Sequence, residues 1–289
     1  MRLIRRALAI ASSLFFASAP CLSNAQPAPV QWKSPPDGEL RGWWWAPKEP
    51  GQHPAVVLLH GCGGMLNKSN EPNVRTTRYA QLLQQQGWGV LALDSFSGRG
   101  VKEICTRSPG STPAVPQARR RADMAIALPW LTKQPSVDSE KLALIGWSNG
   151  GSTVLGATHR GFPEVADIPK LSVAIAYYPG CVARLKYGYE PTTKIVMLLG
   201  MADDWTPAKP CLDLASEHHK QITVHAWADA YHGFDATLPV RLRSDVGRGV
   251  NPGKGVHVGA NPAAREQSQV ILIESLRQAF GPGSHQQSR

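Results

Sequence analysis

The sequence predicts an α/β fold: a mainly parallel central sheet with helices on both faces. Three observations carry that prediction. Short apolar runs alternate with segments of helical pattern along most of the chain, the order that builds parallel strands joined by crossover helices. Ala55-Val56-Val57-Leu58-Leu59 and runs like it are apolar without interruption, as expected of strands covered on both faces. Lys141-Leu142-Ala143-Leu144-Ile145 passes directly into Gly146-Trp147-Ser148-Asn149-Gly150 and then Gly151-Ser152-Thr153-Val154-Leu155, a tight strand-to-helix turn.

Taken in order, the first residues stand apart. Arg2, Arg5 and Arg6 precede an apolar segment over residues 7–17, and Ser23-Asn24-Ala25 follows before Gln26. A basic start, a short apolar stretch and a small-x-small site describe a secretory signal peptide over residues 1–25. The apolar segment is too short to span a bilayer as a helix, and Pro20 does not suit a lipid-attachment site at Cys21. No stable membrane anchor is expected, and the mature chain belongs in the periplasm or outside the cell. Residues 26–281 have the length of one α/β domain, and the polar stretch 282–289 reads as a disordered tail.

Gln31-Trp32-Lys33 and Leu40-Arg41-Gly42-Trp43-Trp44-Trp45 flank the turn Pro35-Pro36-Asp37-Gly38 and read as two early strands. The run ending at Leu59 is the next strand, followed by a helical stretch through Tyr79 and Leu83 that stops at Gly87. Val90-Leu91-Ala92-Leu93-Asp94 is a buried strand; a helix over 122–131 follows, which Pro129 should kink or shorten. After the strand to Ile145 and the helix behind Ser148 come strands at Val173-Ala174-Ile175-Ala176-Tyr177 and Ile195-Val196-Met197-Leu198-Leu199. A helix over 212–220, a strand over 222–227 and a helix over 263–280 complete the series. The glycine-rich stretch 246–262 reads as a loop; it lacks Gly-Lys-Ser/Thr and so is no phosphate-binding loop.

Without the three leader arginines, 28 Lys and Arg face 21 Asp and Glu, a net charge of +7. A surface of that charge favours solubility, or draws anionic substrates closer. The densest basic run, Arg119-Arg120-Arg121, has no interleaved aromatics and reads as a solvated helix face rather than a nucleic-acid site. Four mature cysteines, Cys62, Cys105, Cys181 and Cys211, favour disulfides in an exported chain. None forms C-x-x-C and no histidine stands at zinc-ligand spacing, so no metal site is expected. Cys62 and Cys105 follow strands that should be neighbours in the sheet, as do Cys181 and Cys211. Bridged Cα atoms must approach within about 7 Å, so the expected pairs are Cys62–Cys105 and Cys181–Cys211.

In an open parallel sheet, ligands bind outside the carboxyl ends of the strands. Gly-x-Ser-x-Gly after a buried strand is the spacing of a nucleophile elbow, in which glycines leave room for a strained serine. Ser148 is the candidate nucleophile. His60-Gly61-Cys62-Gly63-Gly64 follows the strand ending at Leu59, and a glycine-rich turn there lets backbone N–H groups point into the site. The N–H groups of Cys62 and Asn149 are the expected oxyanion donors. A serine needs a base, and the imidazole needs a carboxylate to fix its tautomer. Asp203 and Asp204 both follow the strand ending at Leu199; one can face the histidine, while the other caps the turn or meets solvent. Of nine histidines, His232 combines a loop after the last strand with the order Ser…Asp…His. His60 reads as a structural hydrogen-bonder. Trp147, Trp205, Tyr178 and Phe96 are candidate walls of an apolar pocket.

His60-Gly61-Cys62-Gly63-Gly64, Asp94-Ser95-Phe96, the Ser148 elbow, Gly200-x-x-Asp203-x-x-x-Pro207 and His232-Gly233-Phe234 form an ordered set that resembles the dienelactone hydrolase family of the α/β-hydrolases. It spans about residues 45–280. The resemblance implies an α/β-hydrolase fold and an exported serine hydrolase cleaving small carboxylic esters or lactones through an acyl-enzyme, with no cofactor or metal. In the family the acid stands three residues after the glycine and four before the proline, which selects Asp203. Two departures stand out. The namesake lactonase has a cysteine nucleophile where this chain has Ser148, and its substrate-binding arginine four residues after the histidine is Ala236 here. Arg99 lies near the family's other arginine position, but offset. These departures point to a broader esterase or lactonase rather than to dienelactone itself. The same triad also serves peptidases and acyl transferases. A binding protein on an inactive scaffold is a further alternative, against which the intact Ser…Asp…His order speaks.

Overall fold

The computed structural model describes residues 27–36, 38–108 and 110–281; the expected signal peptide over 1–25 and the expected tail over 282–289 lie outside them. Strands β1 (Ala28–Lys33) and β2 (Glu39–Trp45) form an antiparallel pair at one edge. Then β3 (His53–Leu59), helix α1 (Val74–Gln84), β4 (Gly89–Asp94), α2 (Gln117–Leu131), β5 (Val137–Trp147) and α3 (Asn149–Ala157) follow in alternation. The chain continues through β6 (Val173–Tyr177), α4 (Val182–Tyr187), β7 (Ile195–Gly200), α5 (Lys209–Glu217) and β8 (Ile222–Trp227). Two short strands, β9 (Arg241–Arg243) and β10 (Val256–Val258), precede the last helix, α6 (Pro262–Phe280).

The eight-stranded sheet runs in the order β1-β2-β4-β3-β5-β6-β7-β8. From β4 onward every neighbouring pair is parallel, and β2 joins β4 antiparallel. Alternating side chains explain why the strands are apolar throughout. Ala55, Val57 and Leu59 of β3 enter one core with Met124, Leu128, Val154 and Leu214 of α2, α3 and α5. Val56 and Leu58 enter the other, with Tyr79, Leu83, Leu272 and Leu276 of α1 and α6. In α6 the buried residues Ala264, Ser268, Leu272, Leu276 and Phe280 recur every four positions, one stripe of a helix laid on the sheet.

Three readings of the sequence need correction. The stretch 246–262 contains β10, which pairs antiparallel with β9. Helix α5 starts three residues earlier than the apolar pattern suggests, because Pro210 sits in its first turn, where its missing N–H costs nothing. The basic run on α2 is not a solvated face: Arg120 and Arg121 are 1% and 7% exposed. Three consecutive residues fan through about 200° of a helix, so they cannot all face water on a helix that packs against a sheet. Pro129 does fall two residues before the end of α2, as a helix-shortening residue should.

Candidate active site

The elbow is built by close backbone approach. Ser148 has φ 54° and ψ −117°, a positive-φ conformation rare for a residue with a side chain. A Cβ on Gly146 would lie 2.3 Å from the Gly150 carbonyl oxygen, and one on Gly150 would lie 2.0 Å from that of Leu59. Only glycine fits either place. The Ser148 N–H donates to Tyr177 O at 2.9 Å, tying the strained residue to β6.

Ser148 Oγ lies 2.9 Å from His232 Nε2, and His232 Nδ1 lies 2.8 Å from Asp203 Oδ2. The three side chains come from the ends of β5, β7 and β8, so the sheet order places them. All are nearly dry, at 9%, 4% and 4% exposure for Ser148, Asp203 and His232, which strengthens every charge interaction among them. With Asp203 accepting from Nδ1–H, Nε2 presents its lone pair to the serine hydroxyl. Asp203 also accepts from the Trp205 and Thr206 N–H groups, both at 2.8 Å, so one carboxylate both caps its turn and faces the histidine. Thr206 Oγ1 lies 3.1 Å from both Asp203 Oδ2 and His232 Nδ1.

Asp204 neither caps the turn nor serves only solvent. It takes the His257 N–H at 2.8 Å and His257 Nδ1 at 2.7 Å, anchoring the β9–β10 region beside the acid loop. The same region supports His232, whose carbonyl accepts from the Gly259 N–H at 3.1 Å.

The turn at residues 60–64 packs against the elbow: a Cβ on Gly61 would lie 3.5 Å from Ser148 Cβ. The Cys62 carbonyl accepts from the Ile104 N–H at 2.8 Å, and Cys62 is bridged to Cys105 with Cα atoms 5.0 Å apart. The second bridge joins Cys181 and Cys211, 5.1 Å apart. Both pairs are those the sheet order leads one to expect. Asn149 opens α3, so its N–H has no acceptor within the helix. His60 holds the turn's other side: Nδ1 donates to Gly61 O at 2.7 Å and Nε2 accepts from the Ser95 N–H at 3.3 Å. Burial, aided by the Arg120 charge, pushes the His60 pKa down to about 3, so the ring is neutral.

The candidate pocket residues divide. Tyr178 and Trp205 flank His232, each with ring centroids 4.6 Å from the imidazole. Tyr178 is fixed by its hydroxyl, 2.5 Å from Asp235 Oδ1, and the fully buried Asp235 is held in turn by Arg75. Phe96 packs edge-on against His60 and lines a cavity of about 960 Å³ with Trp43, Gly63, Gly64, Val101 and Lys102. That cavity adjoins the turn; Ser148 and His232 are not in its wall. Trp147 lies in the core instead, stacked on Tyr177 and close to Tyr79 of α1, because its side chain turns into the layer that packs under α1 and α6. Arg99 is no substrate group either. Its guanidinium is consumed by Asp123 at 2.6 and 3.0 Å, Ser34 Oγ at 2.6 Å and Ser95 O at 2.6 Å. Thr206, Asp235 and His257 escaped the sequence reading, since His232, Tyr178 and Asp204, which they meet in turn, lie 26 or more positions away. Among the described residues no group of three His, Cys, Asp or Glu could hold a metal, and no helix is long and apolar enough to cross a membrane.

A mainly parallel sheet with a serine at the strand-to-helix elbow makes this an α/β-hydrolase fold. The chain belongs to the dienelactone hydrolase family, whose model matches residues 40–280. Among solved structures it is similar to a dienelactone hydrolase-like promiscuous phosphotriesterase from metagenomic libraries, at 20% identity and TM-score 0.66, covering 89% of this chain and 99% of that one. It is also similar to a thermophilic esterase of the Planctomycetes species Thermogutta terrifontis with propionate bound, at 16% identity and TM-score 0.60, covering 92% and 98%. The same esterase phosphorylated by paraoxon matches at 17% identity and TM-score 0.60, covering 89% and 96%. No curated protein matches the chain.

Proposed function

We propose that this protein is an exported serine hydrolase that cleaves small carboxylic esters or lactones through an acyl-enzyme. One observation carries the reading: the unbroken line from Ser148 Oγ through His232 to Asp203, with contacts of 2.9 and 2.8 Å. In this reading Ser148 Oγ attacks the carbonyl carbon while His232 Nε2 takes its proton. The imidazolium is stabilised by Asp203, and the negative oxygen is received by the N–H groups of Cys62 and Asn149. His232 then gives its proton to the leaving alkoxide. Water, deprotonated by the same imidazole, attacks the acyl carbon, and Ser148 leaves with the proton. Burial of all three side chains supports the reading, because a dry site makes the ion pair formed in the transition state worth more. The structural neighbours include an esterase with propionate bound and the same esterase phosphorylated by paraoxon, so the substrate class is drawn from acyl esters. Export is supported by the leader and by the two disulfides.

The test is hydrolysis of p-nitrophenyl butyrate together with labelling by a fluorophosphonate. The mature protein should turn over the ester and take up the label at Ser148. Ser148→Ala should lose both, with turnover down by at least about 10⁴-fold, while its thermal melt stays that of the wild type. Turnover retained in the folded variant would exclude Ser148 as nucleophile, and an unlabelled, inactive wild type would favour a binding protein.

A further inference from the structure

Arg120 is buried in α2, 1% exposed, and carries its charge where no ion pair requires it. Its Nη1 donates to the Asn149 side-chain oxygen at 2.5 Å and its Nη2 to the His60 carbonyl at 2.7 Å, both neutral acceptors. Its Nε has no partner. The nearby Asp123 carboxylate is already held by Arg99 at 2.6 Å. Burial lowers the Arg120 pKa to about 10, opposed by Asp123 and Asp94, so the group stays charged at neutral pH. A buried cation on two neutral oxygens is an expensive arrangement. What this one touches gives it a use.

His60 stands two residues before Cys62, and Asn149 directly follows Ser148. The two segments come from different elements, the turn after β3 and the start of α3. The planar fork of the guanidinium spans them, and a fork is rigid in a way that an ammonium is not. Gln117, one turn earlier on α2, grips the same place: its Nε2 donates to Asn149 O at 3.1 Å and its Oε1 accepts from Thr153 Oγ1 at 2.8 Å.

We propose that Arg120 is a positioning residue for the oxyanion site, holding the Cys62 turn and the first residue of α3 at the separation where their two N–H groups converge on one oxygen. The proposal rests on the serine-hydrolase reading above. It predicts a defect in the transition state rather than in substrate binding. A displacement of about 1 Å in such a site costs about 10²-fold in rate.

The experiment uses the mature protein, with active sites counted by fluorophosphonate titration. Arg120→Met and Arg120→Lys should lower kcat for p-nitrophenyl butyrate about 10²-fold per titrated site, with KM within about threefold. Affinity for phenylboronic acid, which becomes a tetrahedral anion on the serine, should fall in parallel with kcat. Asn149→Ala should show a smaller loss of the same kind, and Arg120→Met combined with it should fall short of the product of the two. A merely structural role would lower the melting temperature and the number of titratable sites, leaving kcat per site unchanged. Arg120 variants that match an active wild type in kcat per site overturn this proposal alone. A wild type that neither labels nor turns over ester overturns the reading beneath it. If Arg120→Met does not fold, Arg120→Lys and Asn149→Ala decide the matter by the same readouts.

Discussion

At Asp203 one carboxylate oxygen takes two backbone N–H groups while the other faces His232; at Asp204, one position on, both oxygens go to His257. The two residues carry the same charge and differ only in where a single turn aims them. Asp203→Asn replaces the acceptor for Nδ1–H with a group that can present a donor instead, favouring the wrong tautomer, and turnover should fall by about 10⁴-fold. Asp204→Asn keeps an acceptor for the His257 N–H, and the lost carboxylate–imidazole contact is partly solvated, with side chains 26% and 44% exposed. Its cost should be under about 1 kcal/mol of stability, with turnover within severalfold of wild type. Steady-state kinetics on both variants checks the pair, and a reversal of the two effects would move the acid by one residue.

The elbow shows how an element is made by what its neighbours forbid. β5 delivers the chain to Ser148 against the backbone of β3, and the helix that follows starts so close that residues 146 and 150 have no room for a side chain. In Gly150→Ala the new methyl would meet carbonyl oxygens of Leu59 and His60, at 2.0 and 2.7 Å, neither of which can swing aside as a flexible side chain could. Overpacking of this kind costs about 1–3 kcal/mol or more. Thermal unfolding should therefore show a lower midpoint than wild type, and turnover should fall with it as the serine is displaced. A variant that melts with the wild type would mean that α3 can shift without strain. The basic run on α2 makes the complementary point. Arg119 reaches Pro35 O, Arg120 turns inward to the elbow, and Arg121 pairs with Glu164 at 2.9 Å, so one stretch of sequence serves three directions.

Across the whole molecule the two disulfides brace the end of the sheet that carries the site. They close spans of 43 and 30 residues, and each should restrict the unfolded chain by about 4 kcal/mol in the chain-entropy description. Their consequences should nonetheless differ. Cys62–Cys105 also ties down the turn proposed to receive the oxyanion, whereas Cys181–Cys211 joins the start of α4 to α5. Replacing both cysteines of the first pair by alanine should lower melting temperature and turnover together; replacing those of the second should lower melting temperature alone. Melts and kinetics on the two double variants check this, and equal turnover in both would remove the first bridge from any part in the site.

The alternation of strands and helices, the elbow and the order Ser…Asp…His were legible because each is a local pattern. An apolar run bounded by turns reads as a covered strand whatever lies beside it, and Gly-x-Ser-x-Gly states its own steric need. The β9–β10 pair escaped because its strands are three residues long and exposed at Arg241 and Leu242, too short for any periodicity to register. Arg99, Arg120, Trp147 and Asp204 were misread for a different reason. An arginine's partner is whatever oxygen the fold brings to it: for Arg99 it lies 24 positions away, for Arg120 it lies 29 and 60 away. Residue type announces a capacity to donate, accept or pack, and hydrophobic spacing places the chain in layers. Which capacities meet depends on strand order and on the aim of each side chain at the sheet's end, and those arise only when distant segments are packed together.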